Sequence, residues 1–186
     1  MQPYVEILRR GGVVACPTET QMGLLADALN PEAVERVRDL KGRAAGEPIS
    51  VIVPSLEAAV AIARDLSASA ARLASRHWPG PLTLIMRAGG RLPDALKKHG
   101  NVAVRVPGPS PALDLVTAFG GPLTATSANP TGQPPLGDEA GLRAAFGDGL
   151  DAIVPGPVQG RQASTIVDVT GEQPVVLRQG PIRIDG

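Results

Sequence analysis

Aromatic side chains are almost missing from this chain of 186 residues: Tyr4, Trp78, Phe119 and Phe146 are the whole set. Sequence-tolerant single-strand binders stack bases on aromatic rings, so a stacking platform of that kind is excluded. Cysteine is scarcer still. The one thiol, Cys16, rules out an internal disulfide and offers no metal-ligand spacing, and it reads as a small buried residue. Net charge is absent too, with 18 basic against 18 acidic residues. No global field advertises nucleic acid or an anionic membrane, and any binding charge has to be local. Lysine occurs only at Lys41, Lys97 and Lys98, the other cations being arginine, so a lysine-rich composition does not account for Lys41. No apolar run approaches the roughly 20 residues a membrane span requires. The N-terminal Met1-Gln2-Pro3-Tyr4-Val5-Glu6 shows no basic segment followed by an apolar one. The expectation is a soluble cytoplasmic protein without membrane association.

What the chain does contain is alternation. Its length suits one domain with a core large enough to stand alone. Residues 5–10 predict a short helix ended by Gly11-Gly12, and residues 13–16 a buried strand stopped by Pro17. Asn30-Pro31-Glu32 starts a helix that Ala33, Val34, Val37 and Leu40 carry to Lys41. Residues 49–53 predict a strand, 55–63 and 68–76 helices, 82–86 and 102–106 strands, and 110–119 a helix. Residues 123–126 predict a further strand, 138–146 a helix, and 152–154, 165–169 and 175–177 short strands. Such a rhythm predicts a single α/β domain with flanking helices. The closing strands, separated by Thr170-Gly171-Glu172-Gln173-Pro174, predict a mixed rather than a purely parallel sheet.

Three segments carry more polar chemistry than their elements need. Pro122-Leu123-Thr124-Ala125-Thr126-Ser127-Ala128-Asn129-Pro130 is an apolar strand that ends in hydroxyls, an amide and a proline, groups suited to phosphate or carboxylate oxygens. Pro17-Thr18-Glu19-Thr20 puts two hydroxyls and a carboxylate at a strand exit, where ligands collect in open α/β sheets; the plainer alternative is a hydroxyl-rich turn before a helix. Lys41-Gly42-Arg43 closes a helix, where cations meet the macrodipole, and its glycine would let both heads point the same way toward a phosphate. No dinucleotide fingerprint or lysine-bearing phosphate loop occurs. His77 and His99 have no partner pattern, the acidic residues form no metal-binding cluster, and Ser127 lacks a nucleophile elbow. A site of hydroxyls, an amide and arginines positions and neutralises rather than attacks.

Seven motifs follow one another along the chain: Pro17-Thr18-Glu19-Thr20, Lys41-Gly42-Arg43, Trp78-Pro79-Gly80-Pro81-Leu82-Thr83, Val104-Arg105-Val106-Pro107, Thr126-Ser127-Ala128-Asn129, Ser164-Thr165-Ile166-Val167-Asp168 and Leu177-Arg178-Gln179-Gly180. In these motifs and their order the chain resembles, over nearly its whole length, the YrdC/TsaC-type threonylcarbamoyl-AMP synthases. The resemblance implies a YrdC-like twisted, mixed parallel and antiparallel sheet with flanking helices. It also implies synthesis of threonylcarbamoyl-AMP from ATP, bicarbonate and L-threonine, with Mg²⁺ carried by the ATP and pyrophosphate released, for modification of tRNA. Carried over, it assigns ATP contacts to Lys41, Arg43, Ser127 and Arg178, with Asn129 supporting that loop. L-threonine would lie against Thr20, Arg105 and Ser164, the arginine meeting its carboxylate. The implied partners are a tRNA-modification transferase and double-stranded RNA or tRNA on a basic face.

The chain departs from the pattern it resembles within the substrate segments. A tyrosine after Thr20 is here Met22, the proline after Arg43 is Ala44, a downstream lysine is Glu47, a histidine of many relatives is Ile52, and a serine beyond the Ser-Ala-Asn loop is Pro135. A carboxylate near a triphosphate reverses the local electrostatic effect unless it turns to solvent. Two other readings therefore stay open: a non-synthesising paralogue that binds nucleotide or RNA, and a carbamoyl-transfer module related by fold.

Overall fold

The computed structural model describes residues 1–42, 47–160 and 162–184. In chain order its strands are β1 (Val14–Pro17), β2 (Met22–Leu25), β3 (Val51–Ile52), β4 (Leu82–Arg87), β5 (Asn101–Arg105), β6 (Leu123–Thr124), β7 (Thr126–Ser127), β8 (Ala152–Ile153), β9 (Thr165–Asp168) and β10 (Val175–Arg178). The helices are α1 (Gln2–Arg9), α2 (Pro31–Lys41), α3 (Leu56–Ile62), α4 (Ala68–His77), α5 (Pro111–Phe119) and α6 (Glu139–Phe146).

The strands make two sheets, one in the order β7-β2-β1-β8 and one in the order β10-β9-β4-β5-β3-β6. Both are mixed, as the closing strands predicted: β1 runs parallel to β8 but antiparallel to β2, and β4 parallel to β9 but antiparallel to β5. Strand β2 was not expected. Pro17-Thr18-Glu19-Thr20 leads into a hairpin that sets Val14 opposite Leu25 and Pro17 opposite Met22, which corrects the turn-before-helix alternative. Every residue of β1 and β2 is buried, so neither shows the polar alternation that marks a half-exposed strand.

The strand predicted over residues 123–126 is divided. β6 pairs with β3 in the longer sheet, β7 pairs with β2 in the shorter one, and Ala125 between them donates its N–H to the Ser50 carbonyl at 2.7 Å. The buried Thr124 hydroxyl bridges the two sheets, accepting from the Ala26 N–H at 2.9 Å and lying 3.3 Å from the Leu24 carbonyl it donates to. The polar exit after this segment therefore lies where the sheets meet.

Alternation along buried strands splits the core in two. Val13, Ala15, Leu24, Val51 and Leu84 face one cluster, while Val14, Cys16, Leu25, Ile52 and Leu123 face the other beneath α1 and α5. Burial pushes the Cys16 thiol up to about 12, so it stays a protonated core residue rather than a nucleophile. Helix α2 begins as its sequence predicts, with Pro31 in the first turn and the Asn30 side chain accepting from the Glu32 N–H at 3.0 Å. It stops at Gly42, whose φ of 59° is a left-handed conformation suited to glycine. Among the described residues no helix is long and apolar enough to cross a membrane.

Candidate functional site

One face of the six-stranded sheet floors a cleft of about 240 Å³. Register decides which side chains reach it. Thr83 is opposite Ile166, Ile85 opposite Ala103, and Ile52 opposite Arg105, and all six line the cleft. Residues directly opposite in a sheet share a face, so the intervening Leu84, Val104 and Val51 turn the other way into the core. Thr20 and Met22 from the hairpin, Ser127 from β7, and Ser164 and Arg178 complete the walls. A roomier cleft of about 550 Å³ elsewhere on the molecule is bordered by Asp65, Arg87 and Glu172, all solvent-exposed or partly so. The smaller cleft is the candidate because a buried arginine, Arg105, and a second guanidinium, that of Arg178, converge there.

Two guanidinium groups meet there. Arg105, 7% exposed, donates to the Thr20 hydroxyl at 3.0 Å and lies 3.3 Å from the Glu19 carboxylate. Thr20 is fixed in turn by Thr18, whose hydroxyl lies 2.8 Å away and accepts the backbone N–H groups of Thr20 and Gln21, both at 3.0 Å. Arg178, exposed to solvent at the cleft's edge, donates to the Ser164 carbonyl at 3.0 Å and to the Ser164 hydroxyl at 3.2 Å, and that hydroxyl is 2.8 Å from Thr83. Burial pushes the Arg105 guanidinium below its ordinary value; Glu19 opposes that shift and Arg178 adds to it. Burial also pushes Arg178 downward. Arginine nonetheless stays charged at physiological pH, so two cations and one carboxylate leave the cleft with an excess of positive charge, ready for an anion.

The far wall is a loop stapled from behind. Lys41 leaves the last turn of α2 and is 2% exposed. Its ammonium donates to the Ser127 carbonyl at 2.6 Å, the Asn129 carbonyl at 2.7 Å and the Asn129 side-chain oxygen at 2.9 Å. Ser127 donates its hydroxyl to the same Asn129 oxygen at 2.6 Å, and the Asn129 amide nitrogen donates to the Gln133 carbonyl. The Thr131 N–H returns to the Lys41 carbonyl at 2.8 Å. Hydroxyls and an amide after an apolar strand thus form a shaped backbone loop around one buried cation.

Thr20, Arg105, Ser164, Ser127 and Arg178 line the cleft together. Lys41 and Asn129 sit behind its wall, where they hold Ser127. Arg43 and Ala44 lie outside the described residues. Of the departures, Met22 and Ile52 are buried in the cleft lining, while Glu47 and Pro135 are exposed. Residue reasoning placed the Glu19 carboxylate at a strand exit without giving it a role of its own, and it did not single out Thr83. Thr83 had a legible signal, a lone hydroxyl within Leu82-Thr83-Leu84-Ile85-Met86, whereas the contact between Glu19 and Arg105 spans two distant segments that only the folded chain brings together.

The sequence profile of the Sua5/YciO/YrdC family, described as telomere recombination, matches residues 6–180. A threonylcarbamoyl-AMP synthase of Marinobacter nauticus is 40% identical over 167 residues, 88% of each protein. One of Pyrococcus abyssi is 35% identical over 180 residues, 96% of this chain and 53% of the relative, so the chain spans about half that relative's length. The crystal structure of P. abyssi Sua5 complexed with L-threonine aligns with a TM-score of 0.91 at 35% identity, over 96% of this chain and 53% of the other.

Proposed function

This chain belongs to the Sua5/YciO/YrdC family, and from that membership and the geometry of its cleft we infer that it is a threonylcarbamoyl-AMP synthase. It takes L-threonine, bicarbonate and ATP, the Mg²⁺ that accompanies the nucleotide being part of that substrate. The observation that carries the reading is the convergence of Arg105, Thr20, Ser164 and Arg178 at one end of a cleft whose other end is Ser127. Arg105 receives the threonine carboxylate, with the Thr20 and Ser164 hydroxyls beside it. The Ser127–Asn129 loop, shaped by Lys41, faces the nucleotide phosphates. Arg178 stands next to Ser164 and serves both ends.

Chemistry follows from placement. The threonine amine attacks the bicarbonate carbon, forming an N–C bond as water leaves, and a carbamate oxygen then attacks the α-phosphorus as pyrophosphate departs. Neither step requires a protein nucleophile. What the chain supplies is orientation and fixed positive charge where negative charge gathers. The arginine and hydroxyl set is intact, and Glu47, the departure most adverse to a triphosphate, is exposed. The non-synthesising alternative is therefore not favoured. The product is unstable in water as a mixed anhydride, which calls for a downstream transferase acting on tRNA in the same compartment, taken here as the cytoplasm.

The test is incubation of purified protein with ATP, Mg²⁺, labelled bicarbonate and L-threonine, with an active relative in parallel. Threonylcarbamoyl-AMP and pyrophosphate are the expected products. Label incorporation no greater than in an enzyme-free control would overturn the assignment.

A further inference from the structure

Among the described residues one side chain has buried polar atoms without a hydrogen-bond partner: both carboxylate oxygens of Glu19. The side chain is 11% exposed and lies 3.3 Å from an Arg105 nitrogen, yet that nitrogen makes its hydrogen bond to Thr20, at 3.0 Å. Burying a carboxylate that accepts no hydrogen bond from the protein is costly, so its retention calls for an explanation. Shape does not provide one. The surroundings make room for this side chain: a Cβ on Gly108 would come within 3.0 Å of the Glu19 Cγ. A glutamine of the same size would fill that space at a lower desolvation cost.

Charge provides the explanation. Arg105 is buried, with a second guanidinium, that of Arg178, in the same cleft. Without an opposing charge, the buried Arg105 cation would be uncompensated and repelled by Arg178, and it would swing toward water. The hairpin turn delivers two consecutive residues to one guanidinium nitrogen, Thr20 to orient it and Glu19 to offset its charge. We propose that Glu19 is a positioning residue whose negative charge locks Arg105 in place for an incoming carboxylate. The proposal rests on the reading of Arg105 as the L-threonine carboxylate site.

Glu19→Gln keeps the shape and removes the charge. Two readouts separate this proposal from the reading beneath it. The first needs no substrate: hindered rotation of the Arg105 guanidinium followed by nitrogen NMR, with its signals assigned from an Arg105→Lys sample. Rotation is expected to accelerate roughly tenfold in E19Q. The second is calorimetry and kinetics, with L-threonine binding expected to weaken roughly tenfold while the KM for ATP holds. An unchanged rotation rate overturns the proposal whether or not the protein makes product, and so does an equal, measurable L-threonine affinity in the two proteins. Faster rotation in a protein that binds no L-threonine upholds the hold of Glu19 on Arg105 and overturns the threonine reading instead. Should E19Q not fold, Glu19→Asp retracts the charge by one methylene and is expected to give an intermediate rotation rate; a wild-type rate there overturns the proposal.

Discussion

The two ends of the cleft are built on opposite plans. At the Arg105 end, Arg105 and Arg178 stand on strands β5 and β10, adjoining turns bring in Glu19, Thr20 and Ser164, and each charged group is met by another side chain or by a neighbouring carbonyl. At the Ser127 end, the last paired residue of β7 runs into a backbone loop that takes its shape from one ammonium bonded to its carbonyl and amide oxygens. Rigid strands hold a small zwitterion by placing a few groups accurately. A phosphate chain is better met by a backbone that wraps around it, and such a loop needs an internal anchor because it has no ladder of its own. Damage should therefore spread differently: a lesion at the first end removes affinity for one substrate, whereas loss of the anchor at the second end unravels structure as well.

Lys41→Met is the sharpest way to break that contrast. It leaves three buried or half-buried acceptors of the 127–129 loop without their shared donor. A stability loss of about 3 kcal/mol is expected in urea titrations, together with a roughly hundredfold loss of ATP affinity by calorimetry. A protein that keeps wild-type stability and loses only ATP binding would show Lys41 to be a direct phosphate ligand rather than a staple. Arg105→Lys comes next. A lysine cannot present the guanidinium fork, so L-threonine binding is expected to fall roughly thirtyfold while ATP binding stays within about twofold. Equal losses for both substrates would mean that the two ends are not separable.

Much of this division was legible in the sequence, and the illegible part has definite causes. Helix α2 was readable from Asn30-Pro31 to Gly42 because its caps are local. The sharing of Thr20, Arg105 and Ser164 among three motifs was readable only through their resemblance to a family, since nothing in their spacing brings them together. Strand β2 was not readable, because Met22-Gly23-Leu24-Leu25 is buried on both faces and carries a glycine at a strand position. The break at Ala125 was hidden for a different reason: a strand that changes sheets keeps an extended backbone, so Leu123 to Ser127 looks continuous until pairing partners are known. Lys41 was legible as a cation but not as an anchor. Its position at a helix end suggested a charge that meets the macrodipole or points with Arg43 toward a phosphate, and only tertiary packing shows it bonded to the 127–129 loop.

Arg178 tests where the boundary lies. It contacts Ser164, on the side proposed for L-threonine, yet its family resemblance assigns it to ATP. Arg178→Ala is expected to weaken both substrates by roughly tenfold each, because a guanidinium lining a shared cleft acts on either anion. An effect confined to ATP would return Arg178 to the phosphate end alone.

The smallest expected effect is the most selective. Ser127→Ala removes one hydroxyl while leaving the Ser127 carbonyl, the main Lys41 acceptor on that residue, in place. The loop should keep its shape, and the Asn129 side-chain oxygen loses one of two donors rather than both. A neutral hydrogen bond is worth about 1 kcal/mol, so ATP affinity is expected to fall roughly fivefold with stability almost unchanged. L-threonine binding, measured by the same calorimetry, should not move, because Thr20, Arg105 and Ser164 share no hydrogen bond with Ser127. A fivefold loss for L-threonine as well would show that the backbone loop and the sheet face act as one unit, and the contrast between the two ends would then be one of architecture without being one of function.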